Sequence, residues 1–394
     1  MKKILLTFCT GLILNFSLNA QWTQLNSGTT RDLNSVSFVN ESTGWVCGKD
    51  GIIKQTSDGG ATWSLQTAAT TKTLNAILFT DASNGWAVGK DGVIVHTTNG
   101  GTTWVTQISN TPFDLYAVHF FDAQSGMAAG VSGVIIKTVN GGANWTISAG
   151  GNGGSGSGSG NDLEILDLQM VSATEAFVCG KDGFFAKTIN AGTTWTTQNT
   201  AVPDDFEALH FPSAGTGYLA YKDGKVKKTD GNGTFTSVYA ATSKDLKGVW
   251  FVSNTRGWVV GKEGRILLTN DGGLSWSSHN IAAITSELTD VTFPSPNVGY
   301  IVGEDGKILK LSNGNVASVT ENELTFSLFP NPALDFITIQ TNTANPLITI
   351  TDLSGKIVIE RSSKHFSISE LQAGTYFIQV FAAGMTSTQQ FIKQ

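Results

Sequence analysis

Cysteine is nearly absent from this 394-residue sequence, which holds only Cys9, Cys47 and Cys179. Three residues are too few for a disulfide framework. Arginine is almost as scarce, with Arg31, Arg256, Arg265 and Arg361 alone, and 25 Lys plus Arg against 31 Asp plus Glu give a formal net charge of −6. An acidic chain so poor in Arg is a weak candidate for nucleic acid, whose affinity comes mainly from neutralised phosphates. Beyond the first twenty residues no apolar run is long enough for a transmembrane helix. No Ser/His/Asp order, phosphate-binding loop or Cys/His cluster appears, so neither metal nor cofactor is expected. What is plentiful is glycine, with 45 residues, and tryptophan, with 10. Each Gly inside a helix costs about 1 kcal/mol relative to Ala, so helical classes are disfavoured. A hydrophobic share of 40% at mean hydropathy +0.00 is nevertheless ample for a packed core.

Residues 1–20 read as a secretory signal: Lys2 and Lys3, the mostly apolar stretch Ile4 to Leu14, and a cleavage site after Ala20. Removal takes away Cys9 and two lysines, leaving 23 basic against 31 acidic residues, a net charge of −8.

A repeat organises the rest. The segment Gly48-Lys49-Asp50-Gly51 recurs with its last Gly at Gly92, Gly133, Gly183, Gly224, Gly264 and Gly306, in steps of 41, 41, 50, 41, 40 and 42 residues. Within the first copy, Leu33 to Val39, Gly44 to Gly48, Gly51 to Thr56 and Trp63 to Gln66 read as four strands. A turn segment, Thr56-Ser57-Asp58-Gly59-Gly60-Ala61-Thr62-Trp63, joins the last two. Four short strands per 41 residues, joined by Gly-rich hairpins, predict an all-β, seven-bladed β-propeller over residues 21–315. The seventh copy lacks its terminal Trp, whereas Trp22 to Leu25 matches a fourth strand, so the N-terminal strand is expected to close the last blade. The 50-residue step reflects a Gly/Ser-rich insertion at 149–160, expected to be a flexible loop.

These residues carry a resemblance. The S/T-x-D-x-G-x-T/S-W segments resemble Asp-box (BNR) repeats, and with the L-x-x-V-x-F and G-W-x-x-G elements they are similar to photosystem II assembly and stability factor-like propellers. That likeness implies a non-enzymatic binding scaffold. After a linker at 316–323, residues 324–394 resemble the C-terminal sorting domain of the type IX secretion system. The residues that carry this are Leu328-Phe329-Pro330-Asn331-Pro332-Ala333, Thr351 to Val358 and Leu371 to Ile378. The resemblance implies a small β-sandwich that engages the secretion machinery, with the mature protein released or attached to the outer cell surface.

Several residues invite functional readings. In the Asp boxes, Asn99, Asn140, Asn190 and Asn313 replace Asp, which suits a turn better than a calcium ligand set. Nine Trp fall on repeat positions and read as core. Trp250 alone falls elsewhere, in a first-strand column of Ser37, Leu78, His119, Gln169, His210, Trp250 and Thr292. That variability makes Trp250, His119 and His210 candidate binding residues. So are the turn lysines Lys49, Lys90, Lys181, Lys222 and Lys262, which should share a ring face with the loops entering each first strand. Cys47 and Cys179 share a column with small apolar residues and read as buried thiols. Asp-box propellers include sialidases, which use an Arg triad; this propeller holds just Arg31, Arg256 and Arg265, and because the last two share one repeat, convergence of all three on one carboxylate is hard to arrange. Two-carboxylate glycoside hydrolysis survives as an alternative, with Asp167 and Asp290 as the pair. The expected function is therefore recognition of a protein or glycan through a loop-rich face.

Overall fold

The computed structural model describes residues 22–150, 163–239, 242–311, 326–341, 346–352, 357–382 and 385–394. The expected signal peptide, most of the Gly/Ser insertion, the linker, Asn313 and part of the second sorting motif lie outside them. The chain forms one compact unit over Ala20–Gly314 and another that includes Asn315–Gln394.

The first blade shows how the repeat folds. Its innermost strand, Leu33–Phe38, pairs with Gly44–Gly48, which pairs with Ile53–Thr56 and then Ser64–Gln66. Between the second and third strands, Asp50 (φ 56°) and Gly51 (φ 68°) are both left-handed, and Ile52 N donates to Lys49 O at 3.2 Å. This is the two-residue turn that matches the right-handed twist of a hairpin, and it explains the recurring Asp-Gly. A Cβ on Gly51 would also sit 2.3 Å from Thr70 O.

Six four-stranded sheets follow this order among the described residues, and a seventh is composite. In that sheet Leu288–Ser295, Val298–Gly303 and Lys307–Leu311 are completed by Trp22–Leu25, with Trp22 opposite Leu311 and Leu25 opposite Ile308. The chain's two ends of the ring thus share one sheet.

The Asp box is a hydrogen-bonded turn. Thr56 Oγ1 donates to Asp58 Oδ1 (2.8 Å) and accepts from Gly60 N (2.8 Å), while Thr62 N donates to Asp58 Oδ1 (2.9 Å). Asn99 takes the same place: Thr97 Oγ1 and Thr103 N both donate to its Oδ1 at 2.9 Å. The turn needs an acceptor oxygen rather than a charge.

Blades adhere through aromatic stacks. Trp45 stacks on Phe79 of the next blade, ring centroids 3.5 Å apart and planes 6° apart, and Phe79 turns its edge to Trp104 at 5.8 Å. The pattern repeats in Trp86–Phe120, Phe177–Phe211, Tyr218–Phe251, Trp258–Phe293 and, across the closure, Tyr300–Phe38. Trp45 and Trp86 also donate their indole N–H to Asp-box carbonyls one blade on, Gly100 O and Gly141 O. The Gly of each G-W pair lies under a Phe ring of its own sheet, where a Cβ on Gly85 would fall 2.4 Å from Phe79. In the fourth blade Met170 replaces the Phe, and its partner is accordingly Ala176 instead of Gly. Seven of the nine repeat-position Trp are buried, and Trp195 and Trp276 are half-buried. Cys47 and Cys179 are free and fully buried, as their column predicts.

The tail forms a three-stranded sheet (Phe326–Phe329, Phe336–Thr341, His365–Ser367) and a four-stranded one (Leu347–Thr351, Ile357–Arg361, Gly374–Ala382, Met385–Lys393). Ile337, Ile339, Phe366, Ile348, Ile350, Ile378 and Val380 from both sheets make one core, the layering of a β-sandwich.

Deleting Trp22–Leu25 removes a buried Trp and an entire outer strand, so the unfolding midpoint should fall by at least about 6 °C in a thermal melt. Asp58→Asn should leave that midpoint unchanged. Asp58→Ala should lower it on the order of 2 °C, and a chelator should alter neither melt.

Candidate functional site

The innermost strands face a central channel, and a cavity of about 280 Å³ within it is lined by Trp250, His119, His210, Asp167 and Asp290 together. The structure therefore gathers both the column residues and the two carboxylates into one place. It also adds Asn34, Asn75, Tyr116, Glu207 and Lys247. These sit one residue after the start of each inner strand, beside the β-bulge that interrupts its pairing. Their shared position was readable in the repeat, but their mixed residue types gave no chemical signal.

Many of these side chains already hold the next blade. Nearest the strand starts, Asn34 Nδ2 donates to Leu74 O and Asn75 Nδ2 to Leu115 O, both at 2.8 Å, and Lys247 pairs with Glu207 at 2.8 Å. One residue further on, Asp290 Oδ2 accepts from Ser35 Oγ (2.9 Å) and Val36 N (3.0 Å), and its Oδ1 from Val291 N (2.8 Å). Asp167 accepts from Leu168 N (2.7 Å) and from Leu209 N of the next blade (2.8 Å). In the variable column, Ser37 Oγ accepts from Phe79 N (3.0 Å), Gln169 Oε1 from Phe211 N (2.7 Å) and His210 Nδ1 from Phe251 N (3.2 Å). The column varies because Ser, Gln and His can each accept the same backbone N–H. His119 lacks this bond: its Nδ1 is buried without a partner. Trp250 is half-buried, and its ring lies 4.4 Å from that of His210 at a 32° tilt.

Burial sets the electrostatics. Asp167 and Asp290 keep some surface toward the channel but lie deep in the ring, and desolvation lifts their carboxyls from 3.8 to about 7 and about 6, against the pull of the backbone donors. Desolvation equally keeps both imidazoles neutral, His119 falling to about 4 and His210 to about 3.

The turn lysines lie at the end of the ring where the chain enters the inner strands: Lys49 N donates to Asp32 O at 3.0 Å and Lys262 N to Asp245 O at 3.0 Å. Four of the five side chains are engaged there. Lys49 pairs with Asp32, Lys181 with Glu164 (2.6 Å), Lys222 with Asp205 (2.7 Å) and Lys262 with Asp245 (2.6 Å). Lys90 has Thr73 at the equivalent place and forms no ion pair among the described residues. Exposed pairs of this kind contribute little stability, so they leave the lysines available to exchange partners. Among the described residues no cluster of three or more His, Cys, Asp or Glu could hold a metal ion.

The carboxyl and imidazole groups make stability pH-dependent in opposite senses. Asp290 has a folded value raised above 3.8, so its contribution is full below pH 3.8 and lost as pH rises through about 6. Relative to the parent, Asp290→Asn should therefore gain about 2 kcal/mol between pH 4 and 8, on top of any constant offset, in denaturant titrations. His210 has a folded value below 6.5, so its contribution is full above pH 6.5 and lost as pH falls toward 3. His210→Gln should accordingly gain on the parent as pH drops from 7 to 4.

Comparison with known proteins places both parts of the chain. Among curated proteins, none matches by sequence. Of the solved structures that resemble it, a YCF48 bound to a D1 peptide aligns with TM-score 0.62 and 21% identity, over 74% of this chain and 97% of that one. YCF48 from Cyanidioschyzon merolae gives 0.63 and 21%, over 74% and 99%. The WD40 β-propeller domain of Doa1 gives 0.62 and 16%, over 76% and 98%. At these identities the likeness establishes a shared propeller fold. Residues 327–394 match the secretion system C-terminal sorting domain, which marks the chain for secretion by the type IX route. Residues 14–312 match the model of the photosynthesis system II assembly factor YCF48, and the chain belongs to that family.

Proposed function

We propose that this chain is an exported binding propeller without catalytic activity, which recognises a protein or a glycan and is carried across the outer membrane by its sorting domain. The mature form is then released or held at the outer cell surface. One observation carries the reading: a sorting domain is joined to a ring in which both candidate catalytic carboxylates already accept backbone N–H groups. A carboxylate committed to joining blades is poorly placed to move toward a reacting atom.

Two features of the ring support a contact role. Its turn-bearing end presents Lys49, Lys90, Lys181, Lys222 and Lys262 on exposed or half-exposed turns beside the loops that enter the inner strands. Its channel adds Trp250, His119 and His210. The YCF48 structure bound to a D1 peptide provides a precedent for a propeller of this family binding a peptide. Glycoside hydrolysis remains the rival because Asp167 and Asp290 share a cavity and carry raised pKa values near neutrality.

Two measurements decide. Truncation at about Val319 should leave a folded propeller in the periplasm, and normal surface delivery of that truncation would defeat the export reading. The purified protein should capture a cell-envelope component yet release no sugar from a glycan panel. Hydrolysis that disappears in Asp167→Ala or Asp290→Ala would replace the binding reading with the enzymatic one.

A further inference from the structure

The channel cavity keeps hydrogen-bonding capacity that the protein does not use. On the donor side, His210 accepts at Nδ1, so its neutral ring carries the proton on Nε2, and that N–H has no partner among the described residues. The Trp250 indole N–H and the Tyr116 hydroxyl are likewise uncommitted, and all three residues line the cavity. On the acceptor side, Asn34 and Asn75 spend only their amide N–H groups, leaving Oδ1 of each unpaired. Asp167 uses two of its roughly four lone-pair sites and Asp290 three. An aromatic platform completes the set, since Trp250 is braced on one side by His210 at 4.4 Å. The lining's one lysine, Lys247, is paired to Glu207, so no free cation stands ready for an anionic ligand.

From this pairing of unspent donors, unspent acceptors and an aromatic face within about 280 Å³, we infer that the central channel binds a single sugar ring, a small neutral polyhydroxy ligand. Each sugar hydroxyl both donates and accepts, which is what the two sets of groups require, and the apolar face of the ring matches the indole. The cavity lies near the lower end of ligand-pocket sizes, so it suits one ring rather than an extended chain. This inference rests on the proposed binding function and specifies its ligand.

The full chain should be titrated with glucose, galactose, mannose and N-acetylglucosamine while Trp fluorescence and isothermal calorimetry are followed, with putrescine as a cationic control. At least one sugar should bind saturably, with a dissociation constant of about 1 mM or tighter. Trp250→Ala should weaken it at least about tenfold at an unchanged unfolding midpoint, and Trp250→Phe should retain part of the affinity. Absence of saturable binding by every sugar, or equal affinity in Trp250→Ala, overturns the inference. Saturable binding of putrescine alone overturns it too and reassigns the cavity to cations through Asp167 and Asp290. Capture of an envelope component by a protein that binds none of the sugars would leave the binding function standing while the channel site falls.

Discussion

Six of the seven junctions between blades are made by a stacked aromatic pair, and in most of them the Phe also turns its edge to a Trp of its own blade. Phe79 lies flat against Trp45 of the preceding blade and meets Trp104 of its own with its edge. Such pairs contribute roughly 0.5–1.5 kcal/mol beyond the area they bury, and the arrangement recurs around the ring. Much else in the repeat follows. The Gly before each Trp is required because the Phe ring occupies the space a Cβ would take. The Asp-box turn is held open at a fixed place because the indole N–H of the preceding blade bonds its carbonyl. Where the fourth blade substitutes Met170, the glycine requirement lapses and Ala176 appears.

Inside that aromatic ring runs a narrower polar one. Side chains on the inner strands reach from blade to blade to satisfy backbone groups on the inner edge of each sheet, where no further strand pairs with them. Stitches are absent where blade three meets four and where six meets seven among the described residues: His119 finds no acceptor role and Gly248 has no side chain to offer. The variable column therefore reflects local stitching in Ser37, Gln169 and His210, and freedom from it in Trp250. Gln169, His210 and Trp250 line the cavity that also holds the two carboxyls with raised pKa values and the aromatic surface of Trp250.

The all-β class, the repeat, the Asp-Gly turns and the Trp core were legible in the sequence because each depends on local chemistry at a fixed period. The match between Trp22 and a fourth strand was legible for the same reason. Blade-to-blade contacts were not, since they join residues about 40 positions apart through one acceptor atom that Ser, Gln, His or Asp can supply equally. Asp167 and Asp290 consequently stood in the sequence only as an alternative catalytic pair, and their role in accepting backbone N–H groups of the next blade was not visible there. The ion pairs of Lys49, Lys181, Lys222 and Lys262 were equally hidden, because their acidic partners, such as Asp32, belong to the segment before the inner strand.

The pairing of Trp22 with Leu311 carries a consequence for biogenesis. A chain that enters an export channel from its N-terminus delivers Trp22 first and Leu311 only after nearly 290 further residues have passed. The last sheet lacks its outer strand until both segments stand on the same side of the inner membrane. Ring completion thus reports that translocation has passed the propeller, and the sorting domain, lying beyond Leu311 in the chain, follows it. The order of residues along the polypeptide lets the ring close before its export signal has been delivered.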